Sequence, residues 1–285
     1  MKISLVLGSG GARGYAHIGV IEELERYGFE IVSISGSSMG ALIGGLYAAG
    51  GLQAYKEWVL SLDAFDVAKL LDISFDKKGF IKGEKVFEKL KEFVGDVRIE
   101  DLPIKFTAVA TDVKKNKEVW FQEGDLLQAI RASIAIPSFF TPVELGEMLL
   151  VDGGVLNPLP VAPVMSDHAQ MIVAVNVYGN KPVPKIELPQ REKDRIGKLE
   201  KAKSKVKEHF KKIVQEDYSM FDLIDMSFDA MQNILIRYRL AGYTPDLLIE
   251  ISKDICGTYD FHKAYQVIEA GRQAAQDALA GLKLR

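Results

Sequence analysis

The first forty residues constrain this fold more than any other stretch. Lys2 to Leu7 is an apolar run of strand length that stops abruptly at Gly8-Ser9-Gly10-Gly11-Ala12-Arg13-Gly14. Behind that glycine loop, Ala16, Val20, Ile21 and Leu24 recur at helical spacing, with Glu22, Glu23, Glu25 and Arg26 on the opposite side. Gly28 is placed to end the helix. Ile31 to Ser35 is a second strand. Strand, helix and strand in so short a span commit the chain to a parallel pair joined by a right-handed crossover.

The same alternation continues. Met39 to Ala49 reads as a closely packed helix of small and apolar residues, and residues 52–104 read as a mostly helical insertion. Strands are expected at 105–112, 118–121, 148–151, 171–177 and 246–251, and helices at 125–133 and 261–279. Tyr218 to Leu240, rich in Met and Phe, reads as a core helix. Helices alternating with buried strands predict an α/β fold with a mostly parallel sheet. With 285 residues, the chain is long enough for a single large core, expected to span residues 1–285 as one domain.

Composition narrows the function. The net charge of −3 gives no overall basic balance for nucleic acid, so no nucleic-acid partner is expected. The exception is local. Residues 181–215 carry 12 Lys or Arg and 5 Asp or Glu, a net +7, and the remaining chain is at −10. This stretch reads as a basic helical segment behind a proline-rich loop at 179–189. The lone cysteine, Cys256, cannot form an intramolecular disulfide and points to a reducing compartment. Ile3 to Leu7 is too short for the apolar core of a secretory signal. Ile31 to Tyr55 lacks charge over a membrane-spanning length, but its serines and glycines fit strand, turn and buried helix better.

Gly36-Ser37-Ser38-Met39-Gly40 fits G-x-S-x-G after an apolar strand and before a small-residue helix. Such a turn leaves no room for side chains two residues either side of the serine. It exposes Ser38 beside a helix N-terminus, where developing negative charge is favoured. A serine nucleophile needs donors for its oxyanion, and the main-chain amides of Gly10, Gly11, Ala12 and Arg13 are candidates. A dinucleotide site fits this loop poorly, because the third glycine of G-x-G-x-x-G falls on Arg13, and no Gly-Lys-Ser/Thr follows for a phosphate loop. The serine also needs a base. His168 or His262 could complete a Ser-His-Asp esterase. Asp152, at a strand end before Gly153-Gly154, is the other candidate, and His17 reads as a packed histidine.

Four segments together resemble the bacterial branch of the patatin-like phospholipases. They are Gly8–Gly14 with Ala16-His17-Ile18-Gly19-Val20, then Gly36–Gly40, then Ala132-Ser133-Ile134-Ala135-Ile136-Pro137, and Asp152-Gly153-Gly154 with Asn157 and Pro160. They follow the family's order over residues 1 to about 177, departing from it at Ser9, where the family usually has glycine. The resemblance implies a three-layer α/β/α sandwich and a serine–aspartate dyad. In it, Ser38 attacks an acyl ester, Asp152 is the general base, and amides of Gly10 to Arg13 hold the oxyanion. It implies a lipid acyl ester substrate. No cofactor is expected, and no metal, since the sequence holds no H-E-x-x-H and no EF-hand loop. The expected setting is cytoplasmic; the basic run 181–215 reads first as a solvated surface helix, with peripheral contact on anionic lipid at the inner membrane face as the other reading. A lipid- or protein-binding module with a vestigial site is the remaining alternative.

Overall fold

Strands that are apolar on both faces must be covered on both, and the crossover rule settles where the cover lies. The computed structural model describes residues 1–70, 83–137, 139–193, 195 and 220–282. Its eight strands are β1 (Lys2–Leu7), β2 (Glu30–Ser37), β3 (Lys105–Asp112), β4 (Lys117–Phe121), β5 (Val143–Leu145), β6 (Met148–Asp152), β7 (Met171–Gly179) and β8 (Leu247–Ser252). They form one sheet in the order β5-β6-β3-β2-β1-β7-β8, with β4 also paired to β3. The run β3-β2-β1-β7-β8 is parallel, whereas β4, β5 and β6 join antiparallel. β5 is the one strand the sequence did not suggest.

The chain steps from β1 to β2 to β3 in one direction across the sheet and from β7 to β8 in the other. Right-handed crossovers therefore put α1 (Ala16–Arg26) and α2 (Met39–Ala48) on one face and α7 (Met220–Gly242) on the other. Strand β2 shows both faces at once. Ile34 meets α2 at Gly44, while the Ser35 hydroxyl donates to the Pro160 carbonyl at 2.5 Å. The result is the layered α/β/α arrangement.

The last helix, α8 (Ala264–Ala280), lies against α1. A Cβ on Gly19 would stand 2.0 Å from the Ile268 carbonyl, and one on Gly271 would stand 2.0 Å from that of Ala16. The two helices therefore meet backbone to backbone. Between β2 and β3 the chain builds α3 (Leu52–Ser61), α4 (Ala64–Leu70) and α5 (Glu84–Val94). The part of the expected helical insertion at 71–82 lies outside the described residues. So does most of the basic segment. Residues 181–189 carry no regular structure, 190–193 enter a helical turn, and Arg195 bonds to the carbonyls of Leu60 (3.2 Å) and His262 (2.7 Å).

The uncharged run from Ile31 to Tyr55 is β2, a tight turn, α2 and the start of α3. Among the described residues no helix is long and apolar enough to cross a membrane.

One expectation is overturned. The Met- and Phe-rich helix is not in the core. On α7, Met220, Leu223, Ile224, Met231, Ile234 and Tyr238 are all exposed, from 46% to 78%. Its inward side carries Asp229, Gln232, Ile236 and Arg239. Apolar content alone does not say which side of a helix turns inward. Here polar side chains with partners in the body share the inner side with Ile236, and most of the Met, Leu and Ile side chains face out.

Candidate active site

The nucleophile turn is built by contiguous chain. β2 ends at Ser37, and α2 begins at Met39. Ser38 between them has φ 54° and ψ −127°, a conformation that costs a side-chain-bearing residue roughly 1–3 kcal/mol. The flanking glycines are required by space. A Cβ on Gly36 would lie 2.4 Å from the Gly40 backbone, and one on Gly40 would lie 2.0 Å from the Leu7 carbonyl. The Ser38 amide donates to the Ser133 hydroxyl (2.9 Å), and that hydroxyl donates to the Val109 carbonyl (2.6 Å). Ser133, at the end of α6 (Leu126–Ser133), thus fixes the strained residue from behind.

Asp152 arrives by a different route. β2 pairs with β3 as far as Ser37 opposite Val109, and there β2 leaves the sheet. Since β4 occupies the other edge of β3, β6 takes over the vacated edge, starting with Asp152 opposite Ala110. One residue along β3 therefore separates the partners of Ser37 and Asp152. The Asp152 amide donates to the Ala135 carbonyl (2.9 Å), Gly154 N–H donates to Oδ1 (2.7 Å), and the Ser38 hydroxyl donates to Oδ2 (2.5 Å). Burial pushes the carboxyl up to about 7, against the opposing pull of the bonds from Ser38 and Gly154. Gly153 has to be small as well, because its Cβ would meet the Val109 carbonyl at 2.1 Å.

The glycine loop closes the third side. Gly14 packs on Met39, the residue after Ser38, and Gly11 lines the same cavity as Ser38. The amides of Gly10 and Gly11 donate to no acceptor among the described residues. The donor role expected of Ala12 and Arg13 is taken up elsewhere. Ala12 N–H goes to the Thr258 carbonyl (2.8 Å) and Arg13 N–H to that of Gly10 (3.2 Å), because the 3₁₀ turn Gly11–Tyr15 and the 253–260 loop consume them. Arg13 acts through its side chain. The buried guanidinium pairs with Asp229 of α7 at 2.8 and 3.3 Å, donates to the Lys253 carbonyl at 2.9 Å, and lies over the Tyr178 ring. It pins the loop to three separate elements.

Beside Ser38 opens an apolar cavity of about 80 Å³, with Leu42, Tyr55, Trp58, Val86, Phe140 and Phe261 among its walls. The aromatic walls support one another, with Tyr15 edge-on to Phe261 and Trp58 against Tyr55. Such a slot suits a hydrocarbon chain and has almost nothing to offer a polar group.

The histidines stand apart from this geometry. His168 is exposed just before β7, next to Gln170, whose amide bonds to Lys2. That is the amino-terminal edge of the parallel strands, opposite the edge that carries Ser38. His17 is fully buried, bonded through Nε2 to the Gly8 carbonyl (2.8 Å), and burial lowers it to about 4, so it is neutral. It props the glycine loop from below. His262 sits in the short turn Phe261–Lys263, and both oxygens of Asp152 are already committed to Ser38 and Gly154. His209 lies outside the described residues. Among the described residues, no group of three His, Cys, Asp or Glu could hold a metal.

Sequence reasoning missed the support around the site. Ser133 was visible in Ala132-Ser133-Ile134 but carried no assigned role, and nothing local pairs Arg13 with Asp229, 216 residues away.

Comparison with known proteins agrees with this architecture. An uncharacterized NTE family protein of Mycobacterium tuberculosis is 37% identical over 99% of this chain and 92% of its own length. Lysophospholipase NTE1 of Scheffersomyces stipitis is 31% identical over 62% of this chain, a region that makes up 12% of that much longer protein. The crystal structure of VipD from Legionella pneumophila superposes with a TM-score of 0.52 over 97% of this chain and 67% of that one, at 14% identity, a likeness of fold alone. The family model for patatin-like phospholipases matches residues 5–165, which takes in the glycine loop, the Ser38 turn and Asp152. The chain belongs to the patatin-like phospholipase family.

Proposed function

We propose that this chain is a lipid ester hydrolase in which Ser38 is the nucleophile and Asp152 the general base. The observation that carries this reading is the 2.5 Å hydrogen bond from the Ser38 hydroxyl to a buried carboxylate at the mouth of an apolar cavity. A carboxyl held near 7 is matched to accepting a proton at neutral pH. As Ser38 Oγ attacks the ester carbonyl, its proton passes to Asp152 Oδ2. The carbonyl oxygen becomes an oxyanion next to the unengaged amides of Gly10 and Gly11, where one donor is worth roughly 2.7–4 kcal/mol of barrier. Collapse expels the alcohol portion of the lipid, which takes the proton back from Asp152. The acyl chain stays on Ser38 and lies along the aromatic slot. Water then attacks, Asp152 accepts its proton, and the fatty acid leaves as Ser38 recovers its hydrogen.

The best-supported substrate class is a lipid with one accessible acyl chain. The slot is narrow and apolar, and a similar protein bears the name lysophospholipase. A Ser-His-Asp arrangement has no comparable support, because the Ser38 hydroxyl donates to Asp152 itself and the other Asp152 oxygen is taken by the Gly154 N–H.

The test is labelling with a fluorophosphonate probe, followed by peptide mapping and turnover of lysophosphatidylcholine and of p-nitrophenyl esters. The probe is expected on the Ser38 peptide alone. Ser38→Ala and Asp152→Asn should each lower turnover at least ~10³-fold. A folded Asp152→Asn protein that keeps its turnover would remove the dyad. Labelling on another serine would remove the site.

A further inference from the structure

The two amides facing the nascent oxyanion, those of Gly10 and Gly11, sit in a stretch that cannot hold its own shape. Glycine brings no side chain to pack, and a misplacement of about 1 Å costs a reaction roughly 10²-fold. What touches the loop therefore sets where these amides point. On one side the sheet does so. The Gly8 N–H donates to the Val175 carbonyl (3.1 Å), and a Cβ on Gly10 would stand 2.2 Å from a methyl of Val177 in β7. On the other side the sheet is absent. Gly11 has φ +55°, its Cβ would stand 2.4 Å from the Thr258 carbonyl, and that carbonyl accepts the Ala12 N–H (2.8 Å). The Arg13 N–H then closes the turn on the Gly10 carbonyl (3.2 Å).

Both of these holds lead to α7. The Thr258 hydroxyl donates to Asp225 Oδ2 (3.2 Å). The Arg13 guanidinium donates to both oxygens of Asp229 (2.8 and 3.3 Å), and the Tyr178 hydroxyl donates to Asp229 Oδ1 (3.0 Å). Asp225 and Asp229 are four residues apart, so they share one face of the helix. The side chains of Arg13 and Asp229 are 8% and 25% exposed, and removing one partner of so shielded a pair leaves the other charge uncompensated. Arg13 lies in the stretch that the family model matches, residues 5–165, whereas Asp225, Asp229 and Thr258 lie beyond it. We infer that Asp229, with Asp225 one turn before it, is a positioning residue for the oxyanion amides. Helix α7 holds Arg13 and Thr258, and these two hold Gly10 and Gly11 on target. Neither carboxylate touches substrate. The inference rests on the reading of Ser38 as nucleophile and of this loop as the oxyanion site.

The test compares the parent chain with Asp229→Asn and Asp229→Glu, each checked for a cooperative thermal transition. It measures p-nitrophenyl ester kinetics and the rate of fluorophosphonate labelling at Ser38. Asp229→Asn removes the charge and turns an N–H₂ toward the guanidinium. It should lower kcat roughly tenfold or more, with KM within about twofold of the parent. Labelling should slow by a similar factor, because the phosphonyl oxygen enters the same pair of amides. The pH midpoint of kcat/KM should stay at the parent's value, since Asp152 is untouched. Asp229→Glu restores the carboxylate and should recover part of kcat. Parent-like kcat and labelling in Asp229→Asn overturn the inference. So does a loss confined to KM, or one that moves the pH midpoint, since these put the damage at the slot or at the base. If Asp229→Asn fails to fold, Thr258→Val decides the matter, because it removes the hydroxyl that reaches Asp225 and keeps the carbonyl that takes the Ala12 N–H. A kcat lowered roughly threefold or more at unchanged KM supports the inference, and a parent-like kcat overturns it. Failure of the underlying reading has a different signature. Asp152→Asn then keeps its turnover, or the parent is labelled on another serine. Failure of this inference alone leaves both of those results as expected and only the α7 and Thr258 variants parent-like.

Discussion

Two turns meet at this site, and they are made in opposite ways. The Ser38 turn is local. A parallel strand ends, one residue takes a left-handed conformation, and a helix begins within five residues. The Asp152 turn is unstrained at its aspartate, with φ −46°. It works only because an antiparallel strand takes the edge of β3 that β2 has vacated. The first turn stores its positioning in backbone geometry, and the second borrows it from sheet register. A fault in the first should therefore act through strain and crowding, and a fault in the second through pairing and electrostatics.

The largest effect should come from one added methyl group at either turn. Gly40→Ala drives Cβ to 2.0 Å from the Leu7 carbonyl, and Gly153→Ala to 2.1 Å from that of Val109. Both obstacles are backbone that cannot rotate away. Each substitution should remove several kcal/mol of stability, about the upper end of single-mutation effects, seen as loss of the cooperative thermal transition. If Gly153→Ala melts like the parent, the base turn has slack that the register argument denies it.

The next effect belongs to the base turn alone. The Asp152 carboxyl is raised in the folded protein from an ordinary 3.8 to about 7. The folded state therefore holds this proton more tightly than the unfolded chain does. Stability falls as pH rises from about 4 to about 7 and is flat beyond. Relative to Asp152→Asn, the parent should lose on the order of 4 kcal/mol between pH 4 and pH 8 by urea unfolding. The same titration should make kcat/KM climb about tenfold per pH unit below 7 and level off above it. A pH-independent stability difference would mean that the carboxyl is not held against burial.

Ser133→Ala tests the strained turn more gently. It removes the acceptor for the Ser38 amide and leaves the Val109 carbonyl without that donor. Loss of one such buried bond is worth about 1–3 kcal/mol. A roughly tenfold or larger drop in kcat with little change in KM is expected, and Ser133→Thr should restore part of it. Smallest of all, His168→Ala and His262→Ala should change p-nitrophenyl ester turnover less than twofold. A large loss in either would give the base role to a histidine and dissolve the contrast between the two turns.

Much of the nucleophile half was legible because its parts are neighbours in the chain. A strand, a glycine, a serine and another glycine, followed by small residues, spell out one backbone path. The glycine loop was legible for the same reason, but the fate of its amides was not. Whether Ala12 or Arg13 still has a proton to give depends on the Thr258 carbonyl and on the loop's own 3₁₀ turn. Ser133 and Asp229 could not be assigned from their surroundings, because each acts on a residue far away in sequence. The same limit explains α7. Its apolar residues were easy to count, but the side of the helix they share, and the polar grip opposite them, emerge only once Arg13, Gly154 and Leu156 are in place.

The sequence by itself determined the alternation of strand and helix, the sharp turn at Ser38 and the crowding that demands glycine around it. These are short-range matters of periodicity and steric exclusion. Only the tertiary structure decided that Asp152 lies 2.5 Å from the serine hydroxyl, that the amides of Gly10 and Gly11 meet no acceptor among the described residues, and that α7 turns much of its apolar side outward. Each of those depends on which strand fills an edge or which distant group answers a hydrogen bond, and such choices are settled by the whole sheet at once.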